Sequence, residues 1–249
     1  MNYAQIAAGI GGAKNREIDP ALAPLRFTNT GNASATISFF DLKNAHPNFK
    51  IRQQKDANWD NWDYTEISLQ PNEFVEICGN NQTSITNFDT DSYSSSRFLL
   101  SGSIAASGNI MSLCYDDLTD EQVLVIPDSN FFAGLFVSQQ SLLSAPLLPA
   151  TTLTEGCYMN MFYGCTSLTS APELPATTLV SNCYSGMFSN CSSLTSITCL
   201  ATNNSATNCT AWWTTNVAAS GTFTKAANMS SWTSGTNGIP SGWTVVDAQ

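Results

Sequence analysis

Between Phe136 and Trp213 the chain repeats itself every 26 residues, and the copies agree at apolar, cysteine and proline positions rather than at a chemically reactive set. Leu142, Leu168 and Leu194 coincide in register, as do Cys157, Cys183 and Cys209, Cys165 and Cys191, and Met161-Phe162 with Met187-Phe188. Two full copies, TTLTEGCYMNMFYGCTSLTSAPELPA and TTLVSNCYSGMFSNCSSLTSITCLAT, follow an imperfect one, LFVSQQSLLSAPLLPA, and precede a decayed one, NNSATNCTAWWTTN. A unit this short cannot bury an apolar face alone, so it stacks on its neighbours, with atypical copies at the ends. Stacked units present surfaces, and such proteins bind or build.

Each copy predicts its own local structure. Leu153, Cys157 and Met161 are spaced by four, as are Leu179, Cys183 and Met187, which predicts one face of a short helix ending near Gly164 or Asn190. Cys165 and Leu168 then lead a short strand, TSLTSAP, closed by the proline at 146 or 172, and Pro149-Ala150 or Pro175-Ala176 turns the chain onward. One strand and one short helix per coil predict a parallel solenoid over residues 111–210.

The flanks read differently. Residues 1–24 are rich in Ala, Gly and Pro without a sustained period and predict a docking arm. Over 25–110, the segments LRFTNT, ATISFF, NFKIRQQ, YTEISLQP, EFVEICG and SRFLLSGSIAA predict short strands in an Ig-like β-sandwich. Residues 211–249 carry Trp213, Phe223, Trp232 and Trp243 among glycines and predict a β-rich aromatic cap over the open end of the stack. The expected fold is therefore mainly β with short helices: sandwich, short solenoid, cap.

Composition narrows the partners. With 19 acidic and 9 basic residues the formal charge is −10, and no Lys or Arg occurs from Phe98 to Thr224, which argues against nucleic acid. The apolar stretch from Tyr3 to Ile10 has no preceding basic residue and fails the pattern of a secretory signal, and no segment approaches the ~20 apolar residues of a membrane helix. The expectation is a soluble chain, with no membrane partner.

Of eight cysteines, six (Cys157, Cys165, Cys183, Cys191, Cys199 and Cys209) fall in the repeats, five at repeat-locked positions. A cysteine recurring once per coil predicts stacked, buried free thiols, with disulfides as the alternative. Zinc sites pair thiolates with two to four residues between them; Cys157 to Cys165 and Cys183 to Cys191 have seven between.

The pieces CYMNMFYGCTSLTSAPELPATTL and CYSGMFSNCSSLT resemble the BspA-like leucine-rich repeats of surface and phage proteins from gut Bacteroidales. GSIAASGNIMSLCYDD resembles the segment preceding those repeats, and GTFTK with NGIPSGWTVVD resembles the family's closing motif. The resemblance covers residues 95–249 well and the preceding β region weakly. It implies adhesion, binding of host or cell-surface molecules, or virion decoration, and it implies no catalytic residue. Relatives often carry more repeats, so the binding surface here is expected to be short.

Reactive chemistry finds little support. His46, the single histidine, reads as a loop residue, and no nucleotide-binding or zincin motif occurs. Carboxylates cluster at Asp56, Asp60 and Asp63, at Asp89 and Asp91, and at Asp116, Asp117, Asp120 and Glu121, but none follows the calcium-loop pattern, so they read as solvated turns. A paired-carboxylate glycosidase is the enzymatic alternative. Trp59 and Trp62 read as cross-strand packing residues, with a carbohydrate platform as the alternative. The expectation is a non-enzyme without catalytic, cofactor-binding or metal-binding residues and without cofactor: a phage head-fibre, tail-fibre or capsid-decoration protein located in the virion. The arm and sandwich would meet other virion proteins and the repeats would meet a host-surface glycan or protein, with homo-oligomerisation possible. A bacterial cell-surface adhesin is the alternative.

Overall fold

The computed structural model describes residues 22–42, 46–89, 94–116, 118, 122–230 and 232–249. The chain is mainly β. The expected arm lies almost wholly outside the described residues, as do Asp91, Asp117, Asp120 and Glu121.

The first eight strands are β1 Leu25–Asn29, β2 Ala35–Phe40, β3 Phe49–Gln53, β4 Asp60–Asn61, β5 Ile67–Leu69, β6 Phe74–Gly79, β7 Arg97–Ser101 and β8 Ile104–Ser107. LRFTN and ATISFF bury every second residue, the period of a half-buried strand. Two sheets result, ordered β5-β2-β7 and β4-β3-β6-β1-β8-β9, where β9 is Leu142–Ser144. Phe39 and Phe98 of the smaller sheet meet Phe49 and Phe27 of the larger at ring separations of 5.2 Å and 5.0 Å, so the two apolar faces share one aromatic core. Buried Asn29 ties them together: its Nδ2 donates to Leu69 O and Ala33 O, and its Oδ1 accepts from Gly31 N–H.

β9, Leu142–Ser144, belongs to the first repeat yet pairs parallel with β8, Ile104 against Leu142. One sheet therefore runs from the antiparallel region into the repeats. Farther on, β10 Ser196–Cys199, β11 Thr222–Lys225 and β12 Thr244–Asp247 form a parallel sheet, with Ser196 opposite Thr222 and Thr222 opposite Thr244. The 26-residue register persists into β11 and shortens to 22 residues at β12.

The helices expected at 153–161 and 179–187 do not form. In their place runs a ribbon of overlapping turns. The N–H groups of Cys157, Met159, Met161 and Tyr163 donate three residues back, to the carbonyls of Thr154, Gly156, Tyr158 and Asn160. Those of Gly156, Tyr158, Asn160, Phe162 and Gly164 leave the coil and donate to Ser181, Cys183, Ser185, Met187 and Ser189 of the next, at 2.8–3.0 Å. Residues 130–138 and 182–190 do the same. An α-helix keeps its backbone bonds internal; this ribbon satisfies half of its donors within the coil and half between coils, so buried backbone is paired and the stack is bonded along its length.

Side chains four apart still share a face, as the spacing predicted: Leu153, Cys157, Met161 and Cys165 are all buried. Like residues stack in columns. Phe136, Phe162 and Phe188 lie nearly parallel at 5.5 Å and 5.9 Å, and Phe132, Tyr158 and Tyr184 form a second column at 5.7 Å and 6.1 Å. Both columns converge on Trp213, which occupies the methionine position of its coil while Thr210 and Thr214 replace the tyrosine and phenylalanine. Trp213 Nε1 donates to Gly238 O at 2.9 Å, and Thr210 Oγ1 donates to Asn237 O, so polar groups close the columns.

Candidate interaction surface

The turn ribbon needs a left-handed residue at every fourth position, and the sequence supplies glycine or asparagine at nearly all of them. The rows are Asn130, Gly134, Ser138; Gly156, Asn160, Gly164; Asn182, Gly186, Asn190; and Asn208, Trp212, Asn216, with φ between 51° and 72° throughout. Across the first three rows asparagine and glycine alternate like a checkerboard, Ser138 apart, and the fourth row breaks the pattern at all three positions. A Cβ at Gly156 would run into Asn130 Oδ1, and one at Gly186 into Asn160 Oδ1, so these two asparagines lie over the glycine of the following coil. Asn216 Nδ2 donates to Asn190 Oδ1 at 2.7 Å in the last rows.

The last two rows of this flank carry no charge: none of the residues between Glu173 and Lys225 is ionised at neutral pH. Its relief comes from two aromatic residues. Tyr163 is 38% exposed, and Trp212, 61% exposed, stands where the preceding coils carry Gly134, Asn160 and Gly186. A bulky residue in the left-handed region costs on the order of 1–2 kcal/mol, and at Trp212 (φ 52°) little burial offsets it. The aromatic cap pattern in the sequence singles out Trp213 and gives Trp212 no role. The signal that finds it is the checkerboard, which puts a small residue at 212.

The residues weighed for chemistry are dispersed. Trp62 is buried and stacks on Tyr64 at 5.4 Å, and its Nε1 donates to Thr65 O at 3.0 Å. Trp59 is half-buried, with the Arg52 guanidinium over its ring at 4.8 Å. Both act in packing. His46 is exposed, and its backbone N–H donates to Asp41 Oδ2 at 2.7 Å. Asp56, Asp60 and Asp63 are exposed, and hydrogen bonds from the Thr65 hydroxyl and N–H hold the Asp63 carboxyl below its ordinary value. Asp116 pairs with Lys50 at 2.5 Å, which raises the lysine. Among the described residues no three His, Cys, Asp or Glu side chains gather as a metal-holding group.

All eight cysteines are free and buried. Cys165 Sγ donates to Phe136 O at 3.1 Å and Cys191 Sγ to Phe162 O at 3.0 Å, which gives the recurring residue a reason: it is small enough for the column and bonds the preceding coil. Burial pushes the thiols of Cys157, Cys191 and Cys199 up to about 12. They stay protonated at neutral pH and are poor nucleophiles.

One feature the sequence did not disclose is a charge triad on the larger sheet. Glu76, 3% exposed, sits on β6 between its cross-strand partners Arg26 and Arg52. Arg26 Nη2 reaches Oε1 at 2.6 Å and Arg52 Nη2 reaches Oε2 at 2.5 Å, while Arg26 also covers the Phe74 ring. Both carboxylate oxygens are engaged, so the triad is a structural clamp. An open cavity of about 350 Å³ lies nearby, lined by Gln53, Lys55, Leu69 and Glu73 among others. No described helix is long and apolar enough to cross a membrane.

Compared with protein-family models, curated proteins and solved structures, the chain matches none.

Proposed function

We propose that the chain is a non-enzymatic structural protein of a phage particle, a head-fibre, tail-fibre or capsid-decoration subunit that holds a repeat surface towards the host. In this reading the two facing sheets are an Ig-like sandwich that attaches, with the arm of residues 1–24, to other virion proteins. The 26-residue stack is a short BspA-like leucine-rich-repeat solenoid, and the segment from 211 is its cap. The observation that carries the reading is the pairing of β9 with β8. It fastens the stack to the β region through one sheet, so a flank without basic residues is presented on a rigid support rather than on a linker.

The free thiols bear on where such a protein is made. Aligned cysteines in successive coils suit assembly in a reducing cytoplasm, where a phage particle is built, better than export through an oxidising space. That favours the virion over a bacterial cell-surface adhesin made from the same repeats. Mass spectrometry of purified particles and of host envelopes tests the choice. The protein is expected in particles at structural stoichiometry; recovery solely from host envelopes sinks the virion reading in favour of the adhesin.

A further inference from the structure

We propose that Trp212, with the carboxamides around it, binds a neutral saccharide chain. The inference rests on the reading of the stack as an outward surface, and it names the site and the ligand class.

The placement of Trp212 is the first argument. Gly134, Asn160 and Gly186 fill the same left-handed position in the preceding coils, so the ribbon itself asks for a small residue. Trp212 adopts the conformation at φ 52° and leaves 61% of its surface in solvent, which no packing requirement explains. Neighbouring Trp213, fully buried, already ends both aromatic columns. A strained, exposed indole held on a regular scaffold is a feature to be read as function.

The surroundings select the ligand. Residues four apart share a direction in this ribbon, so Asn208 and Asn216, both exposed, flank Trp212 in one row. Asn237 of the following segment is fixed beside them, its Oδ1 accepting from Trp212 N–H at 2.7 Å. Carboxamides offer both donors and acceptors, which suits hydroxyl groups, while the indole face suits the C–H face of a pyranose ring. No side chain between Glu173 and Lys225 supplies a charge. A nucleic acid, a phosphorylated chain or a sulfated glycan would lack counter-charges here, whereas a neutral sugar needs none. Tyr163, 38% exposed, aligns with Thr215 and shares its row with exposed Glu155, so the uncharged site is confined to the last two coils around Trp212.

The test uses the full chain on a printed array of neutral oligosaccharides, with the best binder titrated by calorimetry against the parent, Trp212→Gly and Trp212→Asn. Both variants restore a residue type the ribbon already uses at that position, so melting temperature should hold or rise. Binding by the parent that weakens about tenfold or more in both variants is the expected result, the scale of a truncated aromatic anchor. The proposal is overturned if no neutral oligosaccharide binds, if the variants bind as well as the parent, or if both variants melt lower and so reveal a packing role. Preferential binding of a neutral Ser/Asn-rich peptide over the sugars overturns it too. The virion reading stands or falls separately on particle composition, so the two failures are distinguishable.

Discussion

The antiparallel region before residue 108 and the stacked coils after 128 are both β-rich and share one core, yet they are stabilised on different principles. In the antiparallel region each contact is individual. Phe27 meets Phe98, Glu76 meets two arginines, and Asn29 reaches 40 residues onward to Leu69. In the stack the Phe and Tyr rings meet counterparts 26 positions away, and alternate N–H groups bond the next coil. An ionised side chain inside such a column would face a like charge, so the stack is built from Ser, Thr, Asn, Cys and aromatic residues, while the Arg–Glu–Arg triad sits in the antiparallel region. Repetition supplies many equal small terms, and an individual fold supplies a few large ones.

The strongest way to break this contrast is alkali. Six buried thiols lie in the stack region and two outside it. Burial holds Cys157, Cys191 and Cys199 at about 12, against an ordinary 9.0. An acid whose folded pKa is raised contributes stability that is complete below the unfolded value and vanishes as pH climbs through the folded one. Melting temperature should therefore fall as pH rises from about 9 towards 12, and Cys157→Ala with Cys199→Ala should flatten that slope. A slope unchanged in the double variant shows that these thiols do not drive the loss.

Next in size is Phe162→Ala, which removes the middle ring of a column and should cost about 3–5 kcal/mol in urea unfolding. Because β8 and β9 share a sheet, the loss should lower a single transition reported by fluorescence and circular dichroism alike. Two separated transitions would show that the regions fold independently.

Glu76→Gln tests the other principle. It leaves two guanidiniums sharing a neutral amide and should cost about 2 kcal/mol, with high salt narrowing the difference from the parent. Because the regions unfold as one, the slowest-exchanging amides of the stack should lose protection by the same amount in hydrogen exchange.

The checkerboard gives the smallest effect. Gly186→Ala places a Cβ against Asn160 Oδ1 and should destabilise by about 1–2 kcal/mol. Adding Asn160→Gly should return about 0.5 kcal/mol or more of that loss, the coupling expected for touching residues. Strict additivity would mean that the two positions do not meet.

The period, the columns and the strand-rich region before them can be read from the amino acids alone. Identical residues at a fixed interval can bury their faces only against each other, and alternation of two marks a strand wherever the chain lies. Spacing by four also identified the buried face of each coil correctly. Tertiary structure alone decided how that face is made, because a helix and a chain of overlapping turns both bring residues four apart to one side. Left-handed Gly and Asn at every fourth position were visible in the sequence, but their meaning depends on the N–H groups that cross to the next coil. The triad at Glu76 and the shared β8–β9 sheet depend on strand register between distant segments, which no local pattern encodes. Trp212 belongs to both accounts: the row it interrupts is written in the sequence, and its exposure is set by the fold.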